Sequence, residues 1–442
     1  MDSPKPIKQL RKNFLSLTLV QLANYALPLL SVPVISRIIG PDKYGTINFA
    51  VAFIAYFNIL ISYSFDYTAT RKIARDPHNE ENRSKTFSEV FFTQCLLFVL
   101  ATVVFLITVN FIPRLHADRI LISYTYLICI GTLFTQNWLF QAMQDLSKVA
   151  IINLTSKLLF TVVILMVIKQ KQDYILQPLL IGIIQIIVSV ASFIWAFKRY
   201  NIKLQRVSLN RCFNVIWEER IIFFSLVVVN LYTTTNIFIL GLFQNIQQVG
   251  FYTAGQRLIV IAQSVLTIPL SQALFPFIGK AFGESREKGL NVAQKLIPLI
   301  IMFSGFASIL MFFLGPLVIT LFYGNKFKEA IPVFQILSFI PLIIALSNVL
   351  GIQIMLNLKM DKVFFRVTAC GAALSVILNL LLIKQWGYIG TTFNWLITEI
   401  FILVTMYVVL RREGINSVNL QYFRPSAFKT YLEPIRKKLF TR

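Results

Sequence analysis

Uncharged, largely apolar stretches of twenty or more residues follow one another along the chain, separated by short polar segments that hold most of the charges. A helix needs about 20 such residues to cross the hydrocarbon core of a bilayer. Uncharged runs cover 14–36, 44–65, 90–112, 120–144, 174–197, 258–278, 296–323 and 330–358. A longer run, 221–256, supplies a span to about residue 243 and then turns polar. Three more stretches, 149–168, 363–383 and 387–410, hold one ionisable residue each, respectively Lys157, Arg366 and Glu399. The pattern therefore predicts an all-α polytopic membrane protein with twelve transmembrane helices. A membrane β-barrel is excluded, because its strands alternate in polarity over about ten residues. The connections are too short for a folded extramembrane domain.

Composition agrees with that reading: 56% of the 442 residues are hydrophobic and 14% are charged. Lys and Arg number 42 against 19 Asp and Glu, a formal charge of +23, which taken alone suggests nucleic acid or an anionic membrane surface as partner. The placement of the charges decides. With the N-terminus in the cytoplasm, 29 Lys and Arg fall on the cytoplasmic side, including Arg71, Lys72, Arg75, Arg83, Lys85 and the loop around Lys198–Arg220, against 9 on the other side. The excess marks orientation, with both termini cytoplasmic. Spread over short loops without a nucleic-acid motif, it predicts no nucleic-acid partner. The first span contains Gln21 and Asn24 and lacks a small-residue cleavage site, so it is expected to stay in the mature protein. Cys95, Cys129, Cys212 and Cys370 are scattered, and His78 and His116 have no third ligand nearby. No disulfide framework, metal or cofactor is expected.

The long basic loop divides the spans into two sets of six. The expected domains are an N-terminal bundle (1–200), a linker (201–220), a C-terminal bundle (221–412) and a basic tail (413–442). The two halves echo each other. Gly45-Thr46-Ile47-Asn48-Phe49-Ala50 returns as Gly250-Phe251-Tyr252-Thr253-Ala254-Gly255, 205 positions on, and Gln141, Met143 and Leu146 return as Gln353, Met355 and Leu358, 212 positions on. Halves with an even number of spans share one topology and would be related by an axis along the membrane normal, around a central cleft. Prolines inside spans (Pro28, Pro33, Pro269, Pro298, Pro341) remove helical hydrogen bonds and favour bends.

Polar groups within spans are costly, so they indicate candidate function. Amides such as Gln21, Asn24, Asn58, Asn137, Asn230 and Asn394 suit a hydroxyl-rich ligand, although amides also join helices. Lys157 lies roughly 12 Å from the cytoplasmic end of its span at 1.5 Å per residue. Arg257 lies roughly six residues into the eighth span from the opposite side, about 9 Å at 1.5 Å per residue, and Arg37 ends the first; snorkelling would account for Arg37, Lys295 and Arg366, which are near span ends. A cleft richer in bases than in acids calls for an anionic ligand, and Arg37, Lys157 and Arg257 are the candidate substrate-binding residues. Glu399 and Asp66 are the acids to consider for proton or sodium coupling.

The segment Ser36-Arg37-Ile38-Ile39-Gly40-Pro41-Asp42-Lys43-Tyr44-Gly45 resembles the loop after the first span of the polysaccharide repeat-unit (O-antigen) flippases. These belong to a superfamily with the MATE-type multidrug exporters and the lipid II flippases. Val249 to Leu258, Leu274-Phe275-Pro276, Phe65-Asp66-Tyr67 and Tyr323-Gly324-Asn325-Lys326-Phe327 also resemble that family. The resemblance implies a MATE-like fold, no enzymatic activity, and transfer of a polyprenyl-diphosphate-linked oligosaccharide, for instance on undecaprenyl diphosphate, from the cytoplasmic to the periplasmic leaflet of the bacterial inner membrane. It implies a monomer, with a polysaccharide polymerase and chain-length machinery as candidate partners. In the related lipid II flippases, an arginine ending the first span and one opening the eighth are important for substrate, and Arg37 and Arg257 match them, whereas a second-span arginine is replaced here by Ser62 and Tyr63. The alternatives are a MATE-like cation-coupled exporter of small molecules, which would want acids in the cleft, and a polysaccharide polymerase or glycosyltransferase, which would want a large periplasmic loop.

Overall fold

The computed structural model describes residues 6–424, with side chains from Leu30 onward apart from a few helical positions between 146 and 277. The side chains of Lys5 to Lys12, Gln21, Asn24, Pro28, Pro269 and Pro276, and the tail beyond Arg424, lie outside the described residues. What is described is all-helical: α1 (Pro6–Ser62), α2 (Phe65–Ala74), α3 (Glu80–Phe111), α4 (Pro113–Ala117), α5 (Arg119–Phe134), α6 (Asn137–Ala142), α7 (Leu146–Val167), α8 (Leu176–Arg199), α9 (Leu209–Phe243), α10 (Ile246–Leu266), α11 (Ile268–Glu284), α12 (Arg286–Tyr323), α13 (Ile331–Leu337), α14 (Ile340–Asn348) and α15 (Asp361–Arg412). Seven helical stretches among the described residues are long and apolar enough to cross a membrane. One of these, Asp361–Arg412, holds two expected spans, and helix α1 likewise runs through the expected first and second spans. α1 bends at Gly40 (φ 76°) and α15 at Gly387 (φ 53°), and their 57 and 52 residues would each far exceed a bilayer of about 30 Å if straight. Both glycines take the left-handed backbone that a β-carbon disfavours.

Large apolar side chains point outward, among them Phe111, Phe303, Phe313 and Met166. Such an exterior suits lipid and would be unfavourable in water.

The chain forms two compact units. One comprises Met1–Gly250 with Phe322–Lys326, the other Phe251–Leu321 with Phe327–Arg442. In the first, an aromatic core of Tyr63, Phe65, Phe87, Trp138, Phe140 and Tyr200 joins α2, α3, α6 and α8. In the second, Ile297, Ile300, Val349, Ile354, Val367, Ile402 and Met406 build an aliphatic core between α12, α15 and the π-helical turn Val349–Met355.

The structure differs from expectation at residues 246–257, where amides, threonine and glycine suggested a polar loop before the eighth span. They form the first half of α10, and Arg257 lies about three turns into that helix. The small residues are there for close approach, since a methyl on Gly255 would lie 2.7 Å from a Val333 methyl. Tertiary contact overrides a weak local preference.

The motif around Gly40 builds a joint. Pro41 opens the second half of α1, Asp42 pairs with Lys171 at 2.9 Å, the Lys43 ammonium sits 4.5 Å above the Tyr174 ring, and Tyr44 meets Tyr323 edge-on. Gly45 and Gly250, the echo residues of the two halves, meet here. A β-carbon on Gly45 would fall 2.0 Å from the Ile246 carbonyl oxygen, and one on Gly250 would fall 2.1 Å from that of Pro41.

Candidate functional site

Two helical stretches of the first unit are interrupted by breaks, and a cavity lined by polar residues opens between the short helices that follow them. The first break lies between α1 and α2, at Tyr63, which adopts φ 50°. A non-glycine residue in that region costs about 1 kcal/mol or more, and here burial holds it: the Tyr63 ring stacks on Phe223 with centroids 4.2 Å apart, and its hydroxyl donates to the Ile216 carbonyl at 2.9 Å. The second break lies between α5 and α6, where Thr135 and Gln136 leave helical geometry. The Thr70 hydroxyl ties the two breaks together, bridging the carbonyls of Asp66 (2.8 Å) and Trp138 (3.1 Å).

The cavity between α2 and α6 has a volume of ≈ 490 Å³ and is lined by Asp66, Tyr67, Thr70, Arg71, Asn137 and Gln141. That falls in the usual range of small-ligand sites. On α2 the lining residues 66, 67, 70 and 71 share one helical face, and on α6 Asn137 and Gln141 are one turn apart. One acid and one base make the lining formally neutral. Two amides, a hydroxyl and a phenol supply donors and acceptors in several directions, and Tyr67, 62% exposed, offers a ring face. Close to Arg71, burial pushes the Glu219 carboxyl above its ordinary range, and Arg71 opposes that rise. Such a lining suits a neutral polyhydroxylated ligand better than a strongly charged one.

Of the residues singled out from sequence, Asp66 and Asn137 belong to this cavity, and Arg37, Lys157, Arg257 and Glu399 do not line it. Arg37 lies at the end of the first span with its side chain along Gly324, Cγ 3.4 Å from where a β-carbon there would stand. Lys157 is half-buried in α7, and Arg257 is half-buried in α10, in the second unit. Glu399 is 6% exposed inside the second unit, where the Trp395 indole donates to its carboxylate at 3.3 Å. About one turn before it on α15, Asn394 donates to Ser375 at 3.1 Å, so the acid belongs to a buried polar seam within α15. Lys295 faces Tyr422, ammonium to ring centroid 5.6 Å.

Sequence reasoning missed Tyr67, Thr70 and Arg71. The i, i+4 pairs Asp66/Thr70 and Asn137/Gln141 were the available signal, whereas Arg71 read only as one more basic loop residue. Glu89 was missed as well. It is buried, 5% exposed, and it binds Lys72 (3.0 Å) and Arg211 (3.0 and 3.2 Å) across α2, α3 and α9.

The fold is shared with multi-span membrane proteins of solved structure. It superposes on the lipid II flippase MurJ in an inward closed conformation with a TM-score of 0.71 at 14% identity, covering 98% of this chain and 92% of that one. It also superposes on an inward-facing multidrug resistance MATE family transporter with a TM-score of 0.69 at 14% identity, covering 91% and 98%. Residues 10–282 match the family described as polysaccharide biosynthesis protein, and the chain belongs to that family. Similar proteins include one from Escherichia coli (strain K12), described as a candidate O-antigen transporter, 26% identical over 91% of this chain and 97% of its own length. One from Shigella dysenteriae with the same description is 24% identical over 90% and 99%.

Proposed function

We propose that this chain is a flippase that carries a polyprenyl-diphosphate-linked oligosaccharide, the repeat unit of O-antigen or a related surface polysaccharide, from the cytoplasmic to the periplasmic leaflet of the bacterial inner membrane. The observation that carries the reading is the formally neutral, amide- and hydroxyl-lined cavity at the paired helix breaks of the first unit, whose Asp66, Tyr67, Arg71 and Gln141 are open to a ligand. A buried hydroxyl without a hydrogen-bond partner costs a few kcal/mol, so several sugars cross a bilayer only where groups such as Asp66, Asn137 and Gln141 replace water. Family membership and the descriptions of the relatives support the same reading, as does the shared fold with a lipid II flippase.

In this proposal the sugars engage the Asp66 cavity, the diphosphate is taken by Lys157, Arg37 and Arg257, and the polyprenyl tail stays in lipid. Transfer breaks no covalent bond. Moving the anionic diphosphate outward is favoured by an inside-negative potential, by about 2.3 kcal/mol per charge per 100 mV. Glu399 and Asp66 are the proposed groups for proton or sodium coupling. The excess of Lys and Arg on alternate loops supports a topology with both termini in the cytoplasm. A polysaccharide polymerase and its chain-length machinery are the proposed protein partners, met by a monomer.

Charge reversal tests the diphosphate assignment. In proteoliposomes, Arg257→Glu and Lys157→Glu are each expected to slow translocation of a fluorescent diphosphate-linked oligosaccharide by at least about tenfold, the effect of losing one charge-assisted hydrogen bond of roughly 1.5–3 kcal/mol. Unchanged rates in both variants, with unfolding temperatures equal to wild type, would remove these residues from the site.

A further inference from the structure

We propose that each half of the chain carries a cationic cradle for a phosphate group at the elbow that follows the second span of that half, a site sharing no residue with the Asp66 cavity. The first cradle is a cavity of ≈ 450 Å³ whose lining includes Lys72, Lys85, Glu89, Arg206 and Arg211. Four cations face one carboxylate.

Its walls are fixed from behind. Arg83, buried, donates to the Tyr200 carbonyl through Nε (3.0 Å) and Nη2 (2.6 Å) and to the Pro77 carbonyl through Nη1 (2.8 Å). Just beyond Tyr200 the chain runs along α3, where the backbone N–H groups of Lys203 and Gln205 donate to the hydroxyls of Ser84 (3.1 Å) and Ser88 (2.9 Å). These bonds hold Gln205 and Arg206 beside Lys85. On the opposite side, the buried Glu89 carboxylate ties down Lys72 and Arg211, so that two flexible cations are held at fixed positions. Lys85 and Arg206 are exposed, and no ion pair among the described residues engages either. Arg211 also pairs with Glu218 at 2.8 Å, so the site keeps an excess of two positive charges, matched by the two side chains available to a ligand, Lys85 and Arg206. Several N–H donors converging from different elements match an oxyanion with several acceptor oxygens.

The second cradle repeats the first. A cavity of ≈ 380 Å³ between α11 and α12 is lined by Lys280, Glu284, Lys288, Asn291 and Lys295, among others. Here Glu284 pairs with Lys288 at 3.1 Å, and Asn291 accepts from the Tyr422 hydroxyl at 2.8 Å. Lys280, Asn291 and Lys295 stand 208, 209 and 210 positions after Lys72, Asn82 and Lys85, all of which line the first cavity. Those separations fall inside the 205 to 212 of the sequence echoes. The same cationic elbow thus recurs at the same place in the repeat, which scattered orientation charges would not require. The ligand is a phosphate oxyanion, supplied either by a lipid headgroup or by a free phosphate.

The test uses the full-length protein in nanodiscs of phosphatidylcholine, of phosphatidylcholine with phosphatidylglycerol, and of phosphatidylcholine with inorganic pyrophosphate added. The variants Lys85→Gln/Arg206→Gln and Lys280→Gln/Lys295→Gln remove charge without breaking an ion pair, and their unfolding temperatures in phosphatidylcholine alone report whether they fold. The anion is expected to raise the wild-type unfolding temperature by a few degrees, because a ligand bound only by the folded state stabilises it. Each double variant is expected to lose at least half of that rise. A variant-sensitive rise with phosphatidylglycerol alone assigns the cradles to lipid headgroups, and one with pyrophosphate as well assigns them to phosphate from either source. No rise with either anion, or an equal rise in wild type and variants, overturns the proposal.

Discussion

Gly45→Ala is expected to destabilise the protein more than any other single added methyl at a glycine of the first joint, and Gly250→Ala to do nearly the same. The new β-carbon at position 45 would sit 2.0 Å from the Ile246 carbonyl oxygen and 2.8 Å from the Gly250 nitrogen. Both obstacles are backbone, so no side-chain rotation relieves them. Ile246 is also the first residue of α10, and the reciprocal approach of Gly250 to Pro41 blocks a compensating shift. Overpacking of this kind costs roughly 1–3 kcal/mol and sometimes more. The internal control is Gly305→Ala in α12, where a β-carbon meets nothing within 4 Å and helix propensity favours alanine by up to about 1 kcal/mol. Thermal unfolding in detergent should therefore separate the two, with Gly45→Ala well below wild type and Gly305→Ala at or above it. Equal unfolding temperatures would mean that the glycine joint is not tightly closed.

Removing the amides of the cavity should weaken recognition of sugar while sparing recognition of diphosphate. Asn137→Ala/Gln141→Ala deletes two neutral hydrogen-bonding groups, each contributing about 0.5–1.5 kcal/mol. Together they predict a loss of roughly 5- to 150-fold in affinity for a polyprenyl-diphosphate oligosaccharide. Among the described residues the link between α2 and α6 at this point is the Thr70 hydroxyl, which donates to the Trp138 carbonyl, and it is left in place. Binding of polyprenyl diphosphate without sugar should stay within about twofold of wild type, as no cation has been removed. If both ligands weaken in parallel, the cavity holds the diphosphate or acts only through structure.

The all-helical membrane class was readable because lipid permits few alternatives to long apolar helices, and seven stretches among the described residues meet that description. The bends at Gly40 and Gly387 coincide with interruptions at Arg37–Lys43 and Lys384, where charge divides the apolar runs. Other features depend on contacts that no local pattern encodes. The first half of α10 has loop-like composition, and only its neighbours, such as Val333 beside Gly255, show why small residues are needed there. Tyr63 gives no sequence sign of its positive φ, which Phe223 and the Ile216 carbonyl hold in place. The echo of Gly45 in Gly250 was visible as repetition, yet that the two glycines meet was not.

The candidate site was half legible. Asp66 stood out as an acid at a span end, and Asn137 and Gln141 as amides within or leaving the fourth span. That they line one cavity follows from two helix breaks about seventy residues apart in the chain, at Tyr63 and Gln136. Glu89 falls one residue outside the expected third span and carries no sequence sign of a buried role. Its partners Lys72 and Arg211 lie 17 and 122 residues away, a convergence that requires the fold.

Transport by the purified protein tests the central claim most directly. Proteoliposomes would be loaded with a fluorescent polyprenyl-diphosphate oligosaccharide in one leaflet, and its arrival in the other followed by a membrane-impermeant quencher, with export of a lipophilic cation measured in the same preparation. The account predicts protein-dependent translocation of the oligosaccharide lipid, slowed in Asn137→Ala/Gln141→Ala, and no protein-dependent movement of the cation. Cation export without oligosaccharide translocation would contradict it and assign the chain to drug transport instead.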